Sequence, residues 1–297
     1  MGIFNKDKII VRYAGGLGNQ MFQYALRCNF IQKGKCVKDD ISYYAKVSDA
    51  MPFRLTEVFP KIELAKAEEA EIEKYLKTKK PRNILVRIYN KLFPPKIKYY
   101  QEQQELVYDP KIEKIKSSYV SGYWQSFHYP ENVKEELIKS FKFKGFVDEK
   151  IKELEKKIQD VNSVSVHIRA GDYLLPQNAT IFGGICTIEY YQRAIALMGQ
   201  KVKNPIFFIF SNDIEWCKNN FPLENVVWMD EATLPEHEDW EEMCLMSYCK
   251  HNIIANSSFS WWAAWLNQNP DKVIIAPQKW LQTVENDEIC PRGWIRI

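Results

Sequence analysis

No stretch of this 297-residue chain approaches the roughly 18 apolar residues that a membrane-spanning helix needs. The N-terminus, MGIFNKDKIIVRYAGG, has no apolar core of the kind a secretory leader carries, and Lys6 stands where a myristoylation signal requires Ser or Thr. The seven cysteines are odd in number and none falls in a CxxC spacing. That pattern argues against a disulfide framework or a zinc site and for reduced thiols in a cytoplasmic protein. Neither GxGxxG nor a Walker loop occurs, so the two commonest glycine-rich nucleotide signatures are missing.

What is present is a chain long enough for two domains or one large α/β unit. Hydrophobic residues make up 46% and aromatics 14%, and the net charge is only +3, too small to imply a nucleic-acid partner. The charge is unevenly spread. Lys77 to Lys98 holds eight basic residues and no acid, whereas Asp230 to Glu242 holds seven acids and no Lys or Arg. Within the basic run, Ile84, Leu85, Ile88 and Leu92 share a helical face. The segment is therefore either a solvated helix packed on its own domain or a peripheral contact with an anionic membrane, at its cytoplasmic face.

Hydrophobic patterning places a strand at KIIVRY, then the glycine loop GGLGN, then a helix from Gln20 to Lys33. A charged helix before Pro81, an aromatic, turn-rich stretch from Ser118 to Asn132 and a polar helix from Asp148 to Ser163 follow. Beyond that point five apolar runs, VSVHI, IFFIF, NVVWM, NIIA and KVIIA, alternate with helices near 188–198, 214–220, 241–249 and 259–266, with Thr187 as an N-cap. This alternation predicts a doubly wound parallel sheet, whose ligands bind beyond the carboxyl ends of the strands. A division into domains 1–158 and 159–297 is expected.

Three loops leave such strand ends. In VSVHIRAGDY, Arg169 either places fixed charge on a phosphate or pairs with Asp172 at the surface. His167 reads more readily as a core histidine than as a catalytic base. In FSND, one of Ser211, Asn212 or Asp213 caps the next helix, and a neighbour is free to touch a ligand. In IIANSSFSWWAAWL, Asn256, Ser257 and Ser258 lead into a helix N-terminus, with Phe259 and Ser260 in its first turn. Such an end is a ready anion site as well as an ordinary serine cap. Trp261 and Trp265 belong to the core by spacing. Glu241 and Glu242 open an acidic helix, where one of them could accept from a guanine edge or a sugar hydroxyl. In the opening loop, bare glycines allow close approach at Gly18, and Asn19 and Gln20 could hydrogen-bond a ligand.

Taken together, GGLGNQMFQYA, GYWQS, HIRAGDY, FSNDIEWCK and CKHNIIANSSFSWWAAWL, in this order, resemble the bacterial α-1,2-fucosyltransferases of glycosyltransferase family eleven, from about Val11 to Pro277. The resemblance implies a GT-B-like fold of two Rossmann-like halves facing a cleft, the C-terminal half binding GDP-fucose and the N-terminal half the acceptor. It implies inverting transfer of L-fucose to the 2-hydroxyl of a galactose-containing or lipid-linked glycan, with no cofactor and no metal. No D-x-D motif stands at a strand end. By the same resemblance Arg169 lies near the donor phosphates, with His167 and Asp172 as neighbours in a catalytic motif. Ser257 to Ser260 face the phosphate, Asn19 the donor sugar and phosphate, Glu242 the nucleotide, and Trp124 and Gln125 the acceptor. The chain departs from many relatives at Ala170, where a second arginine is common. Two other readings remain: a protein O-fucosyltransferase, and a non-catalytic glycan- or nucleotide-binding module.

Overall fold

The computed structural model describes residues 7–48, 50–77, 98–169 and 180–297. Ala170 and Asp172 lie outside these residues, as does nearly all of the basic segment between Lys77 and Lys98. The chain divides into two units, Met1–Lys142 and Phe143–Ile297.

The first unit is built on four parallel strands, β1 Lys8–Arg12, β2 Cys36–Asp40, β3 Lys98–Gln101 and β4 Ser118–Ser121, in the order β2-β1-β4-β3. Of these, only β1 is legible as a strand in the sequence. Its centre, Ile9 to Val11, is fully buried, as expected of a strand covered on both faces. The helix after it spans Leu17–Gln32, beginning inside the glycine loop rather than at Gln20, with Gly16 at its N-cap. It is buried on nearly every side between Leu17 and Phe30, which explains its weak amphipathic signature. Arg27 enters this interior paired with Asp39 at 3.0 Å, and Tyr13 donates to the same carboxylate at 3.1 Å, so a buried charge is met by opposite charge and hydrogen bonds.

The second unit holds six parallel strands: β5 Ser163–Ile168, β6 Ile206–Ser211, β7 Val226–Trp228, β8 His251–Ile253, β9 Ile274–Ala276 and β10 Ile295–Arg296. Their order is β10-β9-β8-β5-β6-β7. The five expected strands are present, and β10 is an additional two-residue strand at the edge. Helix Glu149–Asp160 is capped by Asp148, whose carboxylate accepts from the backbone of Lys150 (2.7 Å) and Ile151 (3.2 Å). It buries Ile151, Leu154 and Ile158. The helix belongs to the second unit, so the division lies ahead of the one expected at residue 158.

On one face of this sheet Val164, Val166 and Ile168 pack with Tyr190, Tyr191, Ala194 and Met198 of helix Ile188–Lys201. Thr187 caps that helix by accepting from Tyr190 N at 3.3 Å. A buried polar network fixes β8 against β5: Asn252 donates to Ser165 Oγ at 2.7 Å and accepts from Asn267 at 2.8 Å. A one-residue slip of β8 would leave these buried groups without partners. Trp261 and Trp265 stack in the core at 6.3 Å, as their spacing predicts.

Candidate functional site

In both sheets the direction of strand addition reverses next to the first strand. From β5 the chain builds outward through β6 and β7, then crosses to β8, β9 and β10 on the other side. The carboxyl ends of β5 and β8 therefore form a topological switch point, the usual ligand position in open α/β sheets. In the first unit the corresponding point lies between β1 and β4.

At the second unit's switch point Arg169 directly follows β5. Its backbone is held from helix Ile188–Lys201: the Tyr191 hydroxyl donates to His167 O at 3.1 Å and accepts from the Arg169 N–H. On the β8 side, Ser257 caps helix Ser258–Leu266, its hydroxyl accepting from Phe259 N at 3.3 Å. Ser258 and Phe259 are half-buried. On the β6 side, Asp213 caps helix Ile214–Asn220 by accepting from Trp216 N at 3.0 Å, and Ser211 Oγ accepts from Asp213 N at 3.1 Å. Capping therefore holds for Asp213 and Ser257. The register puts Ile168 opposite Ser211, so Arg169 leaves the sheet between the two capped helix starts.

Other expected contacts take different roles. Ser260 is fully buried, its hydroxyl turned inward to Ala255 O (3.4 Å) and Ser257 O (3.3 Å). Asn256 is buried and donates to Trp280 O at 3.1 Å, tying the strand exit to the loop beyond β9. His167 is 4% exposed, with its ring 5.8 Å from that of Phe259 and its Nδ1 buried without a hydrogen-bond partner among the described residues. Burial, and then the Arg169 charge, push its pKa down to about 3. An imidazole that takes up a proton so reluctantly is a poor general base for a sugar hydroxyl. Glu242, on helix Asp239–Tyr248, lies 3.0 Å from His237 Nε2, and that hydrogen bond raises the His237 pKa. Its neighbour Glu241 closes a capping box with Glu238.

At the first unit's switch point the glycine loop is shaped by Gly15, at φ +82°, where a Cβ would sit 2.5 Å from Asn19 Nδ2. Asn19 Oδ1 accepts from Gln125 Nε2 at 2.6 Å, joining the exits of β1 and β4. Gly18 is buried in the first turn of the helix. Gln20 is fully buried, donating to Gly15 O and Pro52 O and accepting from Arg54 N and Leu55 N. These four hydrogen bonds tie the glycine loop at Gly15 to the segment Pro52–Leu55 and occupy the side chain within the fold, which corrects its expected place at a ligand. Gln23 likewise clamps Ala14 and Gly122.

Trp124 is also corrected. Its ring is 0% exposed, packed at 6.4 Å from Tyr100 and 6.1 Å from Tyr129, so it offers no face to a sugar. The exposed ring is that of Tyr123, 41% accessible. Glu102, which no sequence motif marks, accepts from Tyr123 N at 2.7 Å and Trp124 N at 2.9 Å. A carboxylate one residue past a short strand carries no local signal; only the parallel pairing of β3 with β4 brings it to this loop.

The chain matches the family described as "Glycosyl transferase family 11" over residues 5–297. It is 36% identical to an α-1,2-colitosyltransferase of Escherichia coli, covering 97% of this chain and 98% of that protein. It is 29% identical to the O-antigen biosynthesis glycosyltransferase WbnK of Escherichia coli, covering 96% and 98%. Among solved structures, an Arabidopsis thaliana FUT1 mutant in complex with GDP superposes with a TM-score of 0.52 at 10% identity, covering 92% of this chain and 71% of that one. At that identity the likeness speaks for the fold, the GT-B-like class expected, which agrees with two α/β units on parallel sheets. With strand exits that carry the glycine loop, the arginine and the serine-capped helix in family order, and a match running end to end, the chain belongs to glycosyl transferase family 11 and is a glycosyltransferase.

Proposed function

We propose that this enzyme transfers L-fucose from GDP-β-L-fucose to the 2-hydroxyl of a galactose-containing glycan, free or lipid-linked, with inversion and without a metal ion. The observation that carries this reading is Arg169 at the β5–β8 switch point, beside the N-terminus of helix Ser258–Leu266. When the sugar bond breaks, negative charge grows on the departing diphosphate. A guanidinium and a helix N-terminus, both carried on backbone that the fold holds in place before the reaction, are the groups that stabilise such charge. Ser257, Ser258 and Phe259 supply the helix end, Ser211 and Asp213 border the site on the β6 side, and Glu242 faces the nucleotide. Asn19 and Gln125 serve the sugar side. Of the two base candidates, the shifted pKa of His167 leaves Asp172, which lies outside the described residues.

A second donor is favoured by one finding, the relative that is a colitosyltransferase. Colitose is fucose lacking its 3-hydroxyl, so the two GDP-sugars present the same diphosphate and differ at one ring position. The deciding experiment measures GDP release from GDP-fucose and from GDP-colitose in EDTA, with lactose, N-acetyllactosamine and a serine-bearing peptide as acceptors, followed by NMR of the product linkage. Acceptor-dependent release from GDP-fucose and an α-1,2 linkage are expected. Faster turnover of GDP-colitose would reassign the donor. Transfer to the peptide would reassign the acceptor. GDP binding without turnover would leave a binding module.

A further inference from the structure

The loop after β4 is held in an unfavourable state in three separate ways. Trp124 has a left-handed backbone at φ +58°, a conformation that crowds the Cβ of any non-glycine residue. Its indole Nε1 is buried without a hydrogen-bond partner among the described residues. Glu102 is a carboxylate drawn largely out of solvent, and burial pushes its pKa up to about 7. Such costs gather where the surrounding fold enforces a geometry for function. The enforcing contacts are specific. The two carboxylate oxygens take one backbone N–H each, from Tyr123 and Trp124. Gly122 leaves the room: a Cβ there would lie 2.4 Å from Glu102 Cβ and 2.5 Å from its Oε2. The residue that follows Trp124 is Gln125, whose amide reaches Asn19 at 2.6 Å.

We infer that Glu102 is a positioning residue for the acceptor sugar: its carboxylate locks the Tyr123–Trp124 backbone, and thereby sets the exposed Tyr123 ring and the Gln125 amide at the β1–β4 switch point. The inference rests on the proposed transfer to a glycan. An aromatic face beside an amide is the pairing a pyranose ring calls for, one apolar face stacked and its hydroxyls hydrogen-bonded. The lock depends on ionisation. A carboxylate accepts at both oxygens, whereas a protonated carboxyl turns one of them into a donor facing an N–H. Glu105 and Asp109 are the charged groups acting on Glu102, and both favour its protonation. Tyr123 and Tyr129 are the other titratable neighbours, each feeling its charge. The lock is therefore closed above about pH 7 and loosens as pH falls through that value.

The test has two arms on the full-length protein. In the first, hydrogen exchange of the peptide spanning Tyr123 to Gln125 is followed at pH 6 and pH 8, corrected for intrinsic rates, in wild type and Glu102→Gln. Protection is expected at pH 8 in wild type only; protection that ignores both pH and the substitution overturns the lock, and the wild-type pH comparison decides this even if the variant fails to fold. In the second arm, acceptor KM and GDP affinity are measured. Glu102→Gln is expected to raise acceptor KM about tenfold or more, leave GDP affinity within about twofold, and abolish the fall in acceptor kcat/KM below pH 7 that is expected of wild type. Lost protection with unchanged acceptor KM overturns the acceptor role while leaving the proposed reaction intact. No transfer by wild type to any glycan overturns the reaction and the acceptor role together, and the exchange arm alone then decides the lock.

Discussion

Asn19 Oδ1 and Gln125 Nε2 meet at 2.6 Å although the residues stand 106 apart in the chain. The contact exists because β1 and β4 are neighbours in a parallel sheet, so that their exits share one edge. If the pair acts as one polar surface, Asn19→Ala and Gln125→Ala will not add. A double-mutant cycle on kcat/KM should give a coupling of about 0.5–3 kcal/mol; effects that sum to within a few tenths would mean that the two amides act separately.

Gly15 allows that pair to form. Gly15→Ala places a Cβ 2.5 Å from Asn19 Nδ2 at a backbone angle of +82°. The expected result is a destabilisation of roughly 1–2 kcal/mol in chemical denaturation, together with a loss of activity at least as large as that of Asn19→Ala. A fully active Gly15→Ala protein would show that the Asn19 side chain need not lie where it does.

Arg169→Ala should lower turnover by on the order of 10²–10³, the usual effect of removing one preorganised charge-stabilising group, with thermal unfolding unchanged within a few degrees. Lysine at this position should restore only part of the rate, since a point charge does not reproduce the guanidinium fork. Near-normal turnover by folded Arg169→Ala would remove it from the mechanism.

His167 carries a stability prediction whose sign follows from its shift. In the unfolded chain a histidine titrates near 6.5; in the folded protein this one is held down to about 3. Between those values the unfolded state binds more protons, so stability falls as pH drops from about 6.5, by up to about 1.4 kcal/mol per pH unit. His167→Gln should flatten the dependence in urea titrations from pH 4 to 7 and leave the shape of the pH–rate profile between pH 6 and 9 unaltered. A profile that loses a limb in this variant would return His167 to the role of base.

Much of the second unit is legible in the sequence. Its inner strands β5, β6, β8 and β9 are short runs with buried centres, and three of its helices begin after Thr187, Asp213 and Ser257, residues that cap because their side chains accept the first free N–H groups. Arg169 stands out for a related reason: a charge at the end of a buried run is costly unless a ligand or a partner meets it. The first unit is far less legible. β2, CVKDD, and β3, KYYQ, are polar, and only their pairing to β1 and β4 makes them strands. At the site, residue type alone misplaces Gln20 and Trp124. An amide beside glycines and a tryptophan in an aromatic loop look like ligand contacts, but burial turns both inward. Glu102 and Tyr191 act through partners remote in sequence, which no local pattern reports.

The pairing of β5 with β8 also bears on how the chain is made. Ser165 and Asn252, hydrogen-bonded in the finished sheet, are separated by 87 residues. During synthesis, β5 emerges with apolar residues on both faces and one edge that waits for β8, which follows only after β6, β7 and the helices between them. Sheets closed by such distant pairing form slowly, and an unpaired apolar edge is a template for association with other chains. Yield of active protein should therefore respond to translation speed and temperature: slower synthesis lengthens the wait of the open β5 edge for β8, whereas cooling weakens the apolar attraction between the open edges of different copies.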